Sequence, residues 1–167
     1  MGRFDEQIEL DEYDVVQNHV LGAHILREFV KYYQRYSEDK AGPTLVLIMP
    51  VLPLVLNKAA TTSISKRHFI EGSLTKTITE DKTLYTGLQD RMEKMANQTF
   101  HSLSMAFSLN LLAYDQKTTL VIVVNKASPQ MDGAQNYREM LNAARRLGCW
   151  FAKLSFEELI SVFKINF

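Results

Sequence analysis

A single cysteine, Cys149, leaves no partner for an internal disulfide in this 167-residue chain and suits a reducing compartment. Net charge is lacking too: nineteen basic residues face nineteen acidic ones. That balance excludes a uniformly basic coat for nucleic acid, while leaving room for a local patch. The seven glycines are scattered and none precedes Lys-Ser or Lys-Thr, so a phosphate-cradling loop is excluded. No basic start followed by an apolar run opens the chain; Met1–Asp14 is acidic, which argues against a signal peptide. No apolar run is long enough for a membrane either. The longest, Leu45–Leu56, would cover about 18 Å as a helix against a hydrocarbon layer of roughly 30 Å. Pro50 and Pro53 interrupt it. The expectation is a soluble, cytoplasmic protein with no membrane contact.

What is present is enough for one domain, residues 1–167, with 1–14 as an acidic lead-in. A chain of this length buries roughly two thirds of its unfolded surface, and 46% hydrophobic residues suit a globular core. The lead-in reads as solvated, its later acids favouring the positive end of the next helix; docking on a basic partner is the sharper alternative. The core should form around Leu45–Lys58, LVLIMPVLPLVLNK. Its pattern predicts an extended Leu45–Met49, a turn at Pro50, then a short helix with Pro53 in its first turn. Asn57 and Lys58 return it to water.

Periodicity predicts helices elsewhere. Val15–Tyr36 carries Gly22, Ile25, Leu26, Phe29, Val30 and Tyr33 on one face, with Lys31 and Arg35 one turn apart on a more polar one. Ala59–His68 is small and polar. Its closing Lys66-Arg67-His68 reads first as solvated and second as a contact to phosphate or an acidic partner. Helices are expected at Phe69–Ile78 and Leu84–Ala96, then from an N-cap at Thr99. Leu112–Tyr114 and Thr118–Val124 flank a polar turn as a β-hairpin, and Asn125–Gly133 is a loop. Tyr137–Leu154 is the last long helix, with Gly148 marking close packing; Ser155 and Glu158 form a capping box for a short final helix. The fold class expected is α+β, mostly helical. A winged-helix-like core of helices plus one β-hairpin is joined by a long N-terminal helix and C-terminal helices.

Chemistry is sparse. His19 and His24 are five apart on one helix and do not share a metal as i,i+4 ligands would. His68 and His101 come from separate elements, and Cys149 between Gly148 and Trp150 reads as a packed, inert thiol. No catalytic residue, metal or cofactor is expected, and the chain is read as a non-enzyme. A DNA-reading helix presents Arg, Lys, Asn or Gln to bases. Thr99–Leu111 offers no lysine or arginine and the hairpin only Lys117, so a winged-helix shape here points to protein contact. A winged-helix DNA-binding transcriptional regulator is the alternative.

The run Leu52-Pro53-Leu54-Val55-Leu56-Asn57-Lys58 resembles the LPLVLHK signature of the middle components of three-component ABC systems. Leu147–Ala152, LGCWFA, resembles their LGRWFA signature. Between and around them, Arg27, Phe29 and Tyr33 resemble the family's opening helix, and Arg91 and Thr99 its "R … T" spacing. Leu109–Leu112 precedes the hairpin as in the family, and Val162–Phe167 resembles its closing tail. Asn57 stands where histidine is usual, Cys149 where arginine is usual, and the ending lacks the usual glycine and proline. The resemblance implies an accessory subunit bridging an SMC/ABC-type coiled-coil ATPase and an effector, with Lamassu-type defence as the most similar setting and a nuclease as the effector. DNA would be met only indirectly, through the complex. Lys58, Arg67, Arg91 and Arg146 are assigned to partner contact, with Trp150 and Phe163 as apolar members of the set. Trp150, like Leu54 and Leu56, is read as core first.

Overall fold

The computed structural model describes residues 12–67, 73–124 and 135–167. The lead-in through residue 11, His68, Phe69–Gly72 at the start of an expected helix, and the Asn125–Gly133 loop lie outside the described residues.

Two long helices form the spine. α1 (Glu12–Tyr36) buries Ile25, Leu26, Phe29 and Val30 completely, the stripe its sequence spacing predicts. α8 (Gln135–Lys153) lays Ala143, Ala144, Leu147 and Phe151 against it. Each large aliphatic or aromatic side chain buried this way is worth about 1.5–3 kcal/mol. The helices approach closely because Gly148 has no side chain: a Cβ there would strike the Phe29 carbonyl and lie 2.9 Å from the Tyr33 nitrogen. Phe29 meets Phe151 edge-on at 5.4 Å, and Phe151 meets Phe163 at 5.6 Å. α7 (Ala96–Ser108) packs on α1 with Gly22 set against Ser102 in the same manner.

The apolar run forms two short helices, α2 (Leu45–Ile48) and α3 (Val51–Val55), where an extended segment followed by one helix was expected. The extended backbone is confined to Thr44, which pairs with Leu120. The break falls at Met49–Pro50, and Pro53 sits in the first turn of α3, where a missing N–H costs nothing. Asn57 does not end the structure in solvent. Its side chain accepts from the Ala60 N–H at 3.0 Å and caps α4 (Lys58–Ser65), a helix in the stretch read as merely small and polar. The Leu45–Val55 segment and α4 bend by 101°, and among the described residues no single helix is long and apolar enough to cross a membrane.

α5 (Ser73–Glu80) is followed by a 3₁₀ turn at Lys82–Leu84 and then α6 (Leu88–Lys94), where one helix over Leu84–Ala96 was expected. Asp81 caps the tight turn and Gly87, at φ 70°, breaks the helix before α6. The stripe Leu84, Leu88 and Met92 is nevertheless buried as a unit. Thr99 is not an N-cap. It lies a full turn inside α7, completely buried, its hydroxyl without a partner. β1 (Leu112–Asp115) and β2 (Leu120–Val123) form the expected hairpin, Leu112 opposite Val123 and Asp115 opposite Leu120. The outer edge of β2 is closed by its surroundings. The Val121 N–H donates to the Pro43 carbonyl at 2.9 Å and the Val123 N–H to Gln34 Oε1 at 2.8 Å. α9 (Phe156–Phe163) carries the capping box of Ser155 and Glu158, and it buries Leu159 and Phe163. The class is α+β, mostly helical, and the order α6, α7, β1, β2 is the helix–helix–hairpin sequence expected.

Candidate interaction surface

α4 turns one face inward, burying Ala60, Thr61 and Ile64, and the Thr61 hydroxyl donates to the Val55 carbonyl. Its other face opens a groove of about 470 Å³ lined by Ala59, Thr62, Ser63, Lys66, Arg67 and Asp81. Arg67 pairs with Glu80 at 2.7 Å across to α5, both partly exposed, a pair that contributes little to stability. The Thr83 hydroxyl above all holds the Asp81 carboxyl below its usual range, helped by the Thr83 N–H, Ser63 and the Arg67 charge. The groove therefore presents Lys66 and Arg67 against ionised Asp81, with exposed Lys58 at the start of the same helix.

The six residues assigned to partner contact separate in space. Lys58 is exposed and Arg67 lines the groove. Arg146 reaches from α8 under α4, donating through Nε to the Arg67 carbonyl and through Nη1 to the Asn142 carbonyl at 3.2 Å. Burial, then the Arg145 charge, pulls its guanidinium below the ordinary value. Arg91 stands on α6, its Nη1 donating to the Thr86 carbonyl at 3.1 Å; its Nε and Nη2 are buried without a hydrogen-bond partner. Trp150 and Phe163 are core residues, 4% and 1% exposed, and Phe163 packs on Phe151. Lys58, Arg67 and Arg146 thus gather around α4, and the other three do not join them.

Sequence reasoning missed a buried ionic cluster in the α1–α8 seam. Glu28 accepts from Arg27 Nη1 at 2.8 Å and from Arg145 Nε at 2.7 Å, with the Arg27 and Glu28 side chains 1% and 2% exposed. The available signal was two charged residues between Leu26 and Phe29, inside an apolar stripe. Burial first, and the Glu28 charge next, push the Tyr137 hydroxyl up to about 12. His24 is pulled down by burial and by Arg27.

His101 does meet a second histidine: its ring stacks on His19 at 5.1 Å. Stacked rings direct their nitrogens along parallel planes, and no group of three metal-ligating residues forms among the described residues. Burial pushes the Cys149 thiol up, away from the reactive thiolate. Exposed apolar side chains include Phe100 and Leu109 at the two ends of α7, Tyr114 and Val124 of the hairpin region, and Phe156 stacked on Phe167 at 5.5 Å.

The profile of the ABC-three component (ABC-3C) system Middle Component 3 family matches residues 7–167. The chain belongs to that family: it is a middle component of a three-component ABC system. Searches of curated proteins and of solved structures return no match.

Proposed function

We propose that this chain is a non-enzymatic, cytoplasmic bridging subunit that joins an SMC/ABC-type coiled-coil ATPase to an effector nuclease in a Lamassu-type defence complex. The observation that carries this reading is the family match over residues 7–167, which places the chain among the middle components and so among partners of the other two. The α4 groove supports it as a docking face, with charges of both signs around its rim and Lys58 beside it. The helix–helix–hairpin segment serves protein contact in this reading, because α7 carries no lysine or arginine. DNA is met only through the assembled complex.

Co-expression with the products of its flanking genes tests the reading. The tagged chain is expected to co-elute on size exclusion with a coiled-coil ATPase, and a chain that elutes as a monomer beside that ATPase overturns it. Lys58→Glu separates assembly from folding. A carboxylate in the first turn of α4 suits the helix dipole, so thermal stability holds or rises slightly while capture of the ATPase or effector weakens. In cells that carry the complete system, His101→Ala is expected to leave the defence phenotype intact, because in this reading no reaction depends on the imidazole.

A further inference from the structure

Arg91, half-buried on α6, is satisfied along only one side of its guanidinium. Nη1 donates to the Thr86 carbonyl at 3.1 Å and lies against the left-handed turn at Gly87, where a Cβ would stand 3.8 Å from it. Nε and Nη2 are shielded from water and find no acceptor among the described residues. These two nitrogens share one edge of the group. Their N–H bonds point side by side, at the spacing of the two oxygens of a carboxylate. A buried donor without an acceptor costs more than an ordinary hydrogen bond returns, and an arginine cannot shed its charge to escape that cost. The acids of α6 give no relief: Asp90 pairs with Lys94 at 2.8 Å, and Glu93 accepts from Gln89 at 2.9 Å.

We propose that Arg91 is parked in this position and swings outward to grip a carboxylate of a partner protein. The proposal rests on the reading of the chain as an assembling subunit, and it names the chemistry of one contact in that assembly. Leaving the parked position costs little. Thr86 and Gly87 are exposed, so the bond that breaks is a surface one, and rotation returns Nε and Nη2 to water. A carboxylate then takes both N–H groups as charge-assisted hydrogen bonds on one planar edge. The fit favours a single Asp or Glu over nucleic acid. Asp90 and Glu93 stand exposed within one turn of Arg91 and would meet a run of phosphates with like charge. The contact shares no residue with the α4 groove.

Arg91→Met keeps the aliphatic stem and removes the charge, so it separates a parked anchor from a structural strut. The purified variant is expected to melt on the order of 2–4 °C higher by circular dichroism, because the orphaned donors are gone and water reaches the exposed Thr86 carbonyl. Its capture of the co-expressed ATPase or effector is expected to weaken on the order of tenfold. Arg91→Lys keeps the charge without the paired edge and is expected to weaken capture as well. On the captured partner, one exchange of an exposed Asp or Glu for its amide should reproduce the loss and add nothing to Arg91→Met. A lower melting temperature in Arg91→Met makes the residue a strut and overturns the proposal. Capture that Arg91→Met retains, or binding of a DNA duplex that Arg91→Met abolishes, overturns it too. A wild-type chain that captures neither partner overturns the bridging reading and this proposal with it; capture by wild type and Arg91→Met alike overturns this proposal alone.

Discussion

Gly148 and Glu28 show how much of this chain's behaviour is decided by single positions. In an exposed helix, glycine to alanine gains about 1 kcal/mol. At residue 148 the added methyl meets the backbone of Phe29 and Tyr33, which cannot rotate away as a side chain can. Gly148→Ala is therefore expected to destabilise the fold by about 1–3 kcal/mol, read as a lower urea midpoint. Glu28 is the sole carboxylate between Arg27 and Arg145 in the described network. Glu28→Gln removes the carboxylate that Arg27 and Arg145 share and should cost about 3 kcal/mol in the same measurement. The same change removes a charge that raises Tyr137, so ultraviolet titration should show that phenol ionising at a lower pH. For the native protein the sign follows from the raised value. The folded state holds the Tyr137 proton up to about 12, so its contribution to stability is intact below the ordinary tyrosine value and is lost as pH climbs from there to about 12.

Elements differ in how plainly the sequence announces them. The stripe of α1 and the capping box of α9 rest on contacts within a few residues of each other, so spacing alone reveals them. The cap also makes a prediction. Ser155→Ala removes the hydroxyl that accepts the Glu158 N–H and leaves only the reciprocal bond from the residue 155 N–H to the Glu158 carboxylate, costing about 0.5–2 kcal/mol and fraying α9 first in hydrogen exchange. α2 was illegible because Leu45–Met49 has no polar residue to set a period, and such a run fits a buried strand or a helix equally. α4 was hidden by its serines and threonines, although Asn57 is a good capping residue in plain view. The Leu84–Ala96 pattern gave the buried side correctly and missed the break, since Asp81 and Gly87 act on the backbone and leave the apolar spacing intact.

For the molecule as a whole, the spine of α1 and α8 joins parts of the chain more than a hundred residues apart. Contacts of that kind have no local signature: Arg145 and Glu28 carry nothing in their neighbourhoods that names the other. The candidate surfaces divide along the same line. Lys58, Lys66 and Arg67 were visible because they lie within ten residues of one another in the chain. The approach of Lys40 to the Arg35 carbonyl was not, because it needs the turn after Tyr36 to fold back over the end of α1. Gln34 ties that turn to the hairpin, and Gln34→Leu leaves the Val123 N–H without its acceptor. The expected outcome is faster amide exchange at Val123 and greater light scattering on prolonged incubation.

That glutamine has a consequence for how copies of this protein can join. A sheet that extends end to end behaves like a polymer, and a monomer must offer two reactive sides for the polymer to grow. With Pro43 and Gln34 occupying one side of the hairpin, its functionality is at most one. Pairing through the remaining side of β1 would stop at two chains, so the hairpin acts as a chain terminator built into the monomer.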